Sequence, residues 1–207
     1  MNLLPFVIFG AGGHGKVVLD ASKAAGLSID LIIDDSPKSP ELFGIPIISS
    51  SDPKWLALQD FRFVVGIGNN LIPKEYFEGL VKKNGAPRIV IHPFSYVSKE
   101  ARIGYGTVVF AGSVINPGAS LGANCIVNTS ASVDHDCVIG SHTHLCPGVR
   151  LAGGVSIGSL TMIGTGASVL PGIAIGSHCV IGAGSVVTKN VPDCSIVCGV
   201  PARPVKT

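Results

Sequence analysis

The segment from Leu151 to Val187 reads LAGGVSIGSLTMIGTGASVLPGIAIGSHCVIGAGSVV, and it decides the fold of this chain. Every sixth residue in it is Ile, Leu or Val, and the same phase extends back without a slip to Ile91. The residue four places after each aliphatic position is almost always small or β-branched. A period of six fits neither the ~3.6-residue period of a helix nor the alternation of a plain strand. It predicts a hexapeptide β-solenoid, in which six residues make one flat side and three sides close a coil.

In such a coil the aliphatic residue of each repeat points inward and fills the axis. The second inward position lies near a corner, where only a small side chain has room. Cys125, Cys137 and Cys179 fall in these corner positions, where a cysteine acts as a small hydrophobic residue. Glycine often follows the aliphatic residue, and we interpret these glycines as turns that need a positive φ.

The overall composition excludes several classes of protein. Charged residues make up 14% of the 207 residues, below the ~25% of an average domain. A solenoid explains this deficit, because its coils bury an axial core and its flat outer faces are expected to pack against sister chains. The net charge is +2 with no basic run, so a nucleic-acid partner is not expected.

No apolar run is long enough to span a bilayer, and the N-terminus lacks the basic region of a signal peptide, so membrane insertion is not expected. The six cysteines include no CxxC pair. Reduced thiols and a cytoplasmic location are therefore the prediction.

Residues 1–88 read differently from the repeat and predict a separate α/β domain. Strands are expected at 6–9, 31–33 and 61–67, with helices starting near Val17 and at 73–83. Strands that alternate with helices favour a small parallel, Rossmann-like sheet with right-handed crossovers. The β-solenoid and a C-terminal tail are expected to fill residues 89–207.

A glycine-rich loop follows the first predicted strand. Gly10, Gly12 and Gly15 match the dinucleotide fingerprint, and Asp34 stands roughly 20 residues further on, as that fingerprint requires. Backbone N–H groups at the start of a helix form an anion site. A magnesium-binding P-loop is rejected, because Val17 stands where Ser or Thr should be. We favour a nucleotide sugar as the ligand; NAD and a turn without any ligand are the alternatives.

A histidine between two acidic residues lies inside the repeat. His135 is flanked by Asp134 and Asp136, and its repeat position predicts that it reaches the outer surface. A carboxylate beside an imidazole raises its pKa and fixes its tautomer, which suits a general base near neutral pH. The alternative is a surface histidine without a role. His142 and His178 have no acidic neighbours and are expected to be solvated.

Residues 5–204 resemble a family of sugar acetyltransferases that includes bacterial UDP-4-amino-sugar N-acetyltransferases and sialic-acid O-acetyltransferases. The resemblance is carried by five segments: 10–15, 34–35, 66–70, 91–93 and 128–140. It implies a left-handed β-helix, acetyl-CoA as co-substrate without a metal, and a homotrimer with its active sites between chains.

The resemblance also implies roles for individual residues. His135 would be the catalytic base and Asp136 its support, although some N-acetylating members have Glu at this position. The residues implied in acetyl-CoA binding are His144, Gly153, Thr165 and Ala183. The residues implied in nucleotide binding are Gly12, Gly13, His14, Asp34, Asp35, Gly68 and Asn69.

The predicted function is acetyl transfer to the C4 amine of a nucleotide-linked 4-amino-4,6-dideoxy sugar, with UDP as the favoured nucleotide. O-Acetylation of sialic acid or another sugar hydroxyl is the alternative within the family. A zinc-dependent γ-type carbonic anhydrase would need three ligands such as His135, His142 and His144, but their spacing departs from that family. A non-catalytic scaffold that binds nucleotide sugars is the remaining alternative.

Overall fold

The computed structural model describes residues 4–68 and 71–205, without the side chains of residues 71–73. It confirms a small α/β domain with a parallel sheet followed by a parallel β-solenoid. Asn69, predicted to bind the nucleotide, lies outside the described residues. None of the described helices combines the length and the apolar character needed to cross a bilayer.

The α/β domain is built on one six-stranded sheet. Its elements are β1 (Phe6–Phe9), α1 (Gly13–Ala24), β2 (Leu31–Ile33), β3 (Glu41–Leu42), β4 (Ile45–Ile48), α2 (Pro53–Ala57), β5 (Phe61–Val65), α3 (Leu71–Lys82) and β6 (Gly85–Pro87). The strand order is β3-β4-β2-β1-β5-β6, with all pairs parallel except β3–β4. The carboxyl ends of β1, β2 and β5 therefore meet at one edge, where ligands of open α/β sheets bind.

The coils of the solenoid stack in three flat sides. Side one contains β7 (Val90–Ile91), β10 (Val108–Val109), β13 (Ile126–Val127), β16 (His144–Leu145), β19 (Met162–Ile163), β22 (Val180–Ile181), β24 (Ile196–Cys198) and the antiparallel β25 (Arg203–Pro204). Side two contains β8 (Tyr96–Val97), β11 (Val114–Ile115), β14 (Ser132–Val133), β17 (Arg150–Leu151), β20 (Ser168–Val169) and β23 (Val186–Val187). Side three contains β9 (Arg102–Ile103), β12 (Ser120–Leu121), β15 (Val138–Ile139), β18 (Ser156–Ile157) and β21 (Ala174–Ile175).

The axial core follows the predicted pattern. The second residue of each central strand is buried, as at Leu145, Leu151 and Ile163, and the corner positions such as Cys137 and Thr161 are fully buried. The regular strands pair with the residue 18 positions further on, for example Leu145 with Ile163. Three six-residue sides per coil are therefore confirmed.

The glycines that follow the aliphatic residues are explained by close stacking, and the prediction of a positive φ for them was wrong. A Cβ on Gly104 would lie 2.6 Å from the backbone nitrogen of Ala123 in the next coil. The positive-φ glycines stand two places further on instead, as at Gly106 and Gly154. Neighbouring coils lie only one strand spacing apart, so no side chain fits between them at these positions.

The α/β domain and the solenoid share one hydrophobic core. Val18 and Leu19 of α1 pack with Val108 and Ile126, which face outward from side one. The predicted helical stripe included Val17, but this residue is 41% exposed. The buried residues of α1 are Gly15, Val18, Leu19, Ala21 and Ser22. The shared core holds the glycine-rich loop at the start of α1 against the solenoid.

Candidate active site

His135 stands at an exposed corner of the solenoid. The corner between sides two and three is formed by the residues two places after the strands of side two, and we call it the His135 corner. Its residues are Lys99, Pro117, His135, Gly153, Pro171 and Lys189. Backbone hydrogen bonds connect successive levels, such as Gly154 N–H to the His135 carbonyl at 2.9 Å. The His135 side chain is 63% exposed, as predicted.

Asp136 orients the imidazole of His135. Its Oδ2 lies 2.8 Å from His135 Nδ1, and a carboxylate oxygen accepts, so Nδ1 carries the proton and Nε2 is left with a free lone pair. The hydrogen bond that His135 donates to Asp136 raises the pKa of His135, and the nearby charge of Asp134 adds to this. The pair has the arrangement of a general base with an orienting acid.

Asp134 holds the backbone that carries His135. Its Oδ1 accepts hydrogen bonds from the His135 N–H at 2.7 Å and from Asn116 Nδ2 at 2.9 Å. These hydrogen bonds, from the His135 backbone first, lower the pKa of Asp134. The sequence reading did not identify Asn116, although it stands one 18-residue coil before Asp134 and could have been found by that step.

Gly153 lies directly next to the imidazole of His135. A Cβ on Gly153 would lie 2.5 Å from His135 Cε1 and closer still to Nε2. Such a contact is shorter than side chains tolerate, so only glycine permits this position of the ring. Gly153 therefore lies against His135 at this corner, and its role in acetyl-CoA binding stays a prediction.

The backbone of the glycine-rich loop packs closely against Gly66, the residue that follows β5. A Cβ on Gly15 would lie 2.8 Å from the Gly10 carbonyl carbon, and one on Gly66 would lie 2.9 Å from Gly15 Cα. At Gly12 and Gly13, by contrast, an added Cβ would meet nothing within 4 Å. The close contacts at Gly15 and Gly66 are possible only without a side chain, so these glycines allow the turn to form. Gly12 and Gly13 instead leave the backbone of the loop open to a ligand.

Asp34 and Asp35 stabilise the edge of the α/β sheet. Asp34 Oδ2 accepts from Ala11 N–H at 2.7 Å, and its Oδ1 accepts from Ser36 N–H at 2.8 Å. Asp35 accepts from the backbone N–H of Ser50 at 2.7 Å, and this hydrogen bond is the largest cause of its lowered pKa. Both carboxylates thus order the loops around the predicted nucleotide site.

A cleft of about 230 Å³ opens beside the exposed glycines. Gly12 and Gly13 line it together with two basic residues, Lys16 and Lys38, and two acidic residues, Asp34 and Glu41. Backbone N–H groups at a helix start and two cations are the groups that bind a diphosphate. The sequence reading missed Lys38, which lies in a loop without a motif.

His14 and His144 meet in the joint between the two domains. Their ring centroids are 6.0 Å apart, and the His14 ring also packs edge-on against Phe110. Burial lowers the pKa of His14 to about 4, with a further contribution from His144. His14 Nε2 is buried and has no hydrogen-bond partner among the described residues. The ring is therefore neutral and leaves one polar atom for a ligand.

The tautomer of His144 follows from its neighbours. Thr129 N–H donates to Asn128 Oδ1 at 2.8 Å, so the other amide atom, Nδ2, faces His144 Nε2 at 3.0 Å and donates to it. His144 Nδ1 then carries the proton and donates to the Gly68 carbonyl at 3.3 Å. Burial lowers the pKa of this imidazole as well. His144 thereby ties the predicted nucleotide-binding loop to side one.

The remaining predicted residues fall in three places. Thr165 and Ala183 lie one above the other on the corner between sides one and two, away from His135. His144 is 8% exposed on side one, so in one chain it does not share a groove with His135. The solvated environment predicted for His142 was wrong, because its ring packs on Phe77 of α3. His178 is exposed, as predicted.

The His135 corner is open enough for the extended arm of acetyl-CoA. Between His135 and Lys189 the corner carries only Gly153 and Pro171, so an extended arm meets no long side chain there. Among residues 4–68 and 71–205, no three His, Cys, Asp or Glu side chains are grouped to hold a metal ion.

Two protein-family models match the chain. The PglD N-terminal domain matches residues 5–80, and the bacterial transferase hexapeptide model of six repeats matches residues 154–189. A curated relative, the UDP-N-acetylbacillosamine N-acetyltransferase of Bacillus subtilis (strain 168), is 38% identical over 109 residues. That alignment covers 50% of this chain and 50% of the relative.

Solved structures match over nearly the whole chain. The acetyltransferase domain of PglB from Neisseria gonorrhoeae FA1090, in complex with acetyl coenzyme A, is 36% identical with a TM-score of 0.89, covering 97% of this chain and 98% of that one. PerB from Caulobacter crescentus, in complex with CoA and GDP-perosamine, is 36% identical with a TM-score of 0.89, covering 98% and 97%. WeeI from Acinetobacter baumannii AYE is 27% identical with a TM-score of 0.86, covering 98% and 100%. The chain therefore belongs to the hexapeptide-repeat family of acetyl-CoA-dependent sugar N-acetyltransferases that carry a PglD-type N-terminal domain.

Proposed function

We propose that this protein transfers the acetyl group of acetyl-CoA to the C4 amine of a nucleotide-linked 4-amino-4,6-dideoxy sugar. The observation that carries the proposal is the His135–Asp136 pair, which presents a free Nε2 at an exposed corner beside Gly153. Relatives that act on UDP- and GDP-linked amino sugars support the substrate class. UDP is our proposal for the nucleotide.

The acetyl group passes directly from the thioester to the sugar amine, without an acyl-enzyme intermediate. The free sugar amine attacks the acetyl carbonyl carbon, and His135 Nε2 removes the proton from the nitrogen as the N–C bond forms. The C–S bond then breaks, and the thiolate leaves with the electron pair and takes up a proton. General-base catalysis of this kind contributes typically ~10²–10⁴-fold to the rate.

The substrate sites are proposed to lie between copies of the chain. His135 is exposed on one corner, while Thr165 and Ala183 lie on the next corner of the same coils. A second copy that packs along the prism brings its Thr165 corner opposite the first copy's His135 corner. We propose a cytoplasmic homotrimer, in which three interfaces of this kind form between neighbouring chains.

Release of the CoA thiol in the presence of amino sugars tests this function. We expect thiol release with UDP-linked 4-amino-4,6-dideoxy sugars, less with GDP- and dTDP-linked ones, and none with free sialic acid. Mass spectrometry of the sugar should show one added acetyl group on nitrogen. Thiol release with sialic acid alone would establish O-acetylation instead, and no release with any sugar would contradict an acetyltransferase.

Removal of the Asp136 carboxylate should move the pH dependence. The base acts only when neutral, and Asp136 raises the pKa of His135, so the acidic limb of the kcat/KM profile lies above that of a free histidine. Asp136→Ala lowers this pKa, and the acidic limb should shift to lower pH while the maximal rate falls. Asp20→Ala, an exposed change on α1, should leave the limb in place. If the acidic limb of the kcat/KM profile stays in place in Asp136→Ala, a group other than the His135–Asp136 pair sets the pH dependence.

A further inference from the structure

Arg150 is the charged residue on the outer face of side two. The first residue of each strand points outward, and along side two these residues are Tyr96, Val114, Ser132, Arg150, Ser168 and Val186. In the proposed homotrimer, the Thr165 corner of one copy meets the His135 corner of the next. These two corners flank side two, so side two faces the symmetry axis. Arg150 is thereby enclosed by the other copies, and an enclosed charge needs a partner of opposite sign.

The guanidinium of Arg150 leans toward the Thr165 corner. Its Nη1 donates to the carbonyls of Ser130 and Val149, the latter at 3.2 Å. Ser130 follows Thr129, which lies on that corner two coils before Thr165. Among the described residues, no carboxylate forms an ion pair with Arg150, and its Nε and Nη2 donate no hydrogen bond. The planar edge of the guanidinium is therefore available to a carboxylate from outside the chain.

Asp134 offers such a carboxylate at the opposite edge of side two. Ser130 precedes β14 and Asp134 follows it, so the two residues are ~13 Å apart by the rise of an extended chain. Asp134 Oδ1 accepts from the His135 N–H and from Asn116 Nδ2. Its Oδ2 accepts no hydrogen bond within the described part of the chain. Asp134 therefore keeps one oxygen free, directly beside the residue proposed as the base.

A threefold axis parallel to the solenoid brings these two edges together. Equivalent residues of the copies lie at the same height along such an axis, so the Ser130 edge of one copy faces the Asp134 edge of the next. Arg150 belongs to the following coil, but its hydrogen bond to the Ser130 carbonyl brings the guanidinium to the height of Asp134. We propose that Arg150 of each copy forms an ion pair with Asp134 of the neighbouring copy. This inference rests on the proposed homotrimer with active sites between chains.

The ion pair makes Arg150 a positioning residue that acts through Asp134. Asp134 holds the His135 N–H, and its charge contributes to the raised pKa of His135. A guanidinium beside Asp134 offsets part of that charge and so lowers the pKa of His135 relative to the isolated chain. Each copy would thus hold the base of its neighbour in place and adjust its basicity.

Sedimentation velocity over a range of protein concentrations tests the ion pair. Arg150→Met should raise the concentration at which the trimer dissociates by about tenfold or more, because Asp134 is left enclosed without its partner. At concentrations that keep the variant trimeric, the acidic limb of the kcat/KM profile should move to higher pH, since loss of the cation raises the pKa of His135. A role in assembly alone would leave that limb in place.

Arg102→Met is the matched control for this variant. Arg102 is also exposed and is also the first residue of its strand, but β9 belongs to side three, which faces away from the axis. Its removal should leave both the dissociation of the trimer and the acidic limb unchanged. An equal effect of Arg102→Met on both properties would overturn the assignment to Arg150.

A double-mutant cycle identifies the partner of Arg150. Asp134→Asn removes the charge but keeps an oxygen that accepts the His135 N–H. If the two residues pair, the Arg150→Met/Asp134→Asn variant should dissociate no more readily than the weaker of the two single variants. The same cycle with Asp136→Asn should be additive, because the Asp136 carboxylate is engaged by His135.

The outcomes separate the ion pair from the proposed function. Additive effects in the Asp134 cycle would overturn the pair, as would an Arg150→Met trimer of unchanged or greater stability. Greater stability would mean that the guanidinium groups meet at the axis without a partner. Thiol release by the parent protein reports on acetyl transfer independently. A parent that releases thiol as a monomer would overturn the pair and the proposed assembly while leaving acetyl transfer intact.

Discussion

Replacement of His135 by alanine should lower kcat by ~10²–10⁴-fold, the range for loss of a general base. The side chain is 63% exposed, and its hydrogen bonds run to Asp136 and through its own backbone, so the solenoid loses no packing. Thiol release from acetyl-CoA with saturating amino sugar measures the effect. The remaining rate should rise with pH, as more of the sugar amine loses its proton without help.

His178→Ala is the matched control for this variant. His178 is also exposed on the solenoid but belongs to another corner, so its removal should leave kcat unchanged. Both variants should bind CoA with the affinity of the parent. Near-normal turnover in His135→Ala would show that the base lies elsewhere. His14, whose Nε2 has no hydrogen-bond partner among the residues that the structure describes, would then be the next group to test.

Substitution of Gly153 by alanine should lower kcat by about 10²-fold. The added Cβ overlaps the imidazole of His135, so the ring must turn away and break its 2.8 Å hydrogen bond to Asp136. A displacement of ~1 Å at a reacting group is enough to cost on the order of 10²-fold. Since the ring is exposed and free to move, the protein should fold normally, and kinetics with circular dichroism would measure both properties.

Gly79→Ala controls for the loss of glycine itself. An added Cβ at Gly79 of α3 meets nothing within 4 Å, and alanine favours a helix. This variant should keep full activity with equal or slightly higher stability. A fully active Gly153→Ala would mean that the imidazole does not work from the position seen in the structure.

Most of the fold could be predicted because one phase holds from Ile91 to Val187. A strict period leaves a single way to assign inward positions, and the burial of Leu151 and Ile163 agrees with it. The exposure of His135 followed from the same phase. The shared core between α1 and side one could not be predicted, because the outward residues of a solenoid have no periodic constraint.

The parts of the site that were missed depend on contacts between distant segments. His142 reads as a surface residue, yet Phe77 of α3 packs on its ring. The contact of His144 with the Gly68 carbonyl joins residues 76 positions apart, and no local pattern indicates it. Asn116 could have been predicted from the sequence, because it stands one 18-residue coil before Asp134. Lys38 lies in a loop, where spacing carries no information.

The stacking of whole coils also limits how this fold can change over time. An insertion of a single residue would turn every later aliphatic position out of the axis, whereas duplication of one entire 18-residue coil would leave the packing intact. Between β14 and β23, however, such a duplication would lengthen the corner by ~4.8 Å. The protein can therefore gain or lose whole coils with its axial packing intact, although a coil gained between β14 and β23 changes the spacing of the residues along that corner.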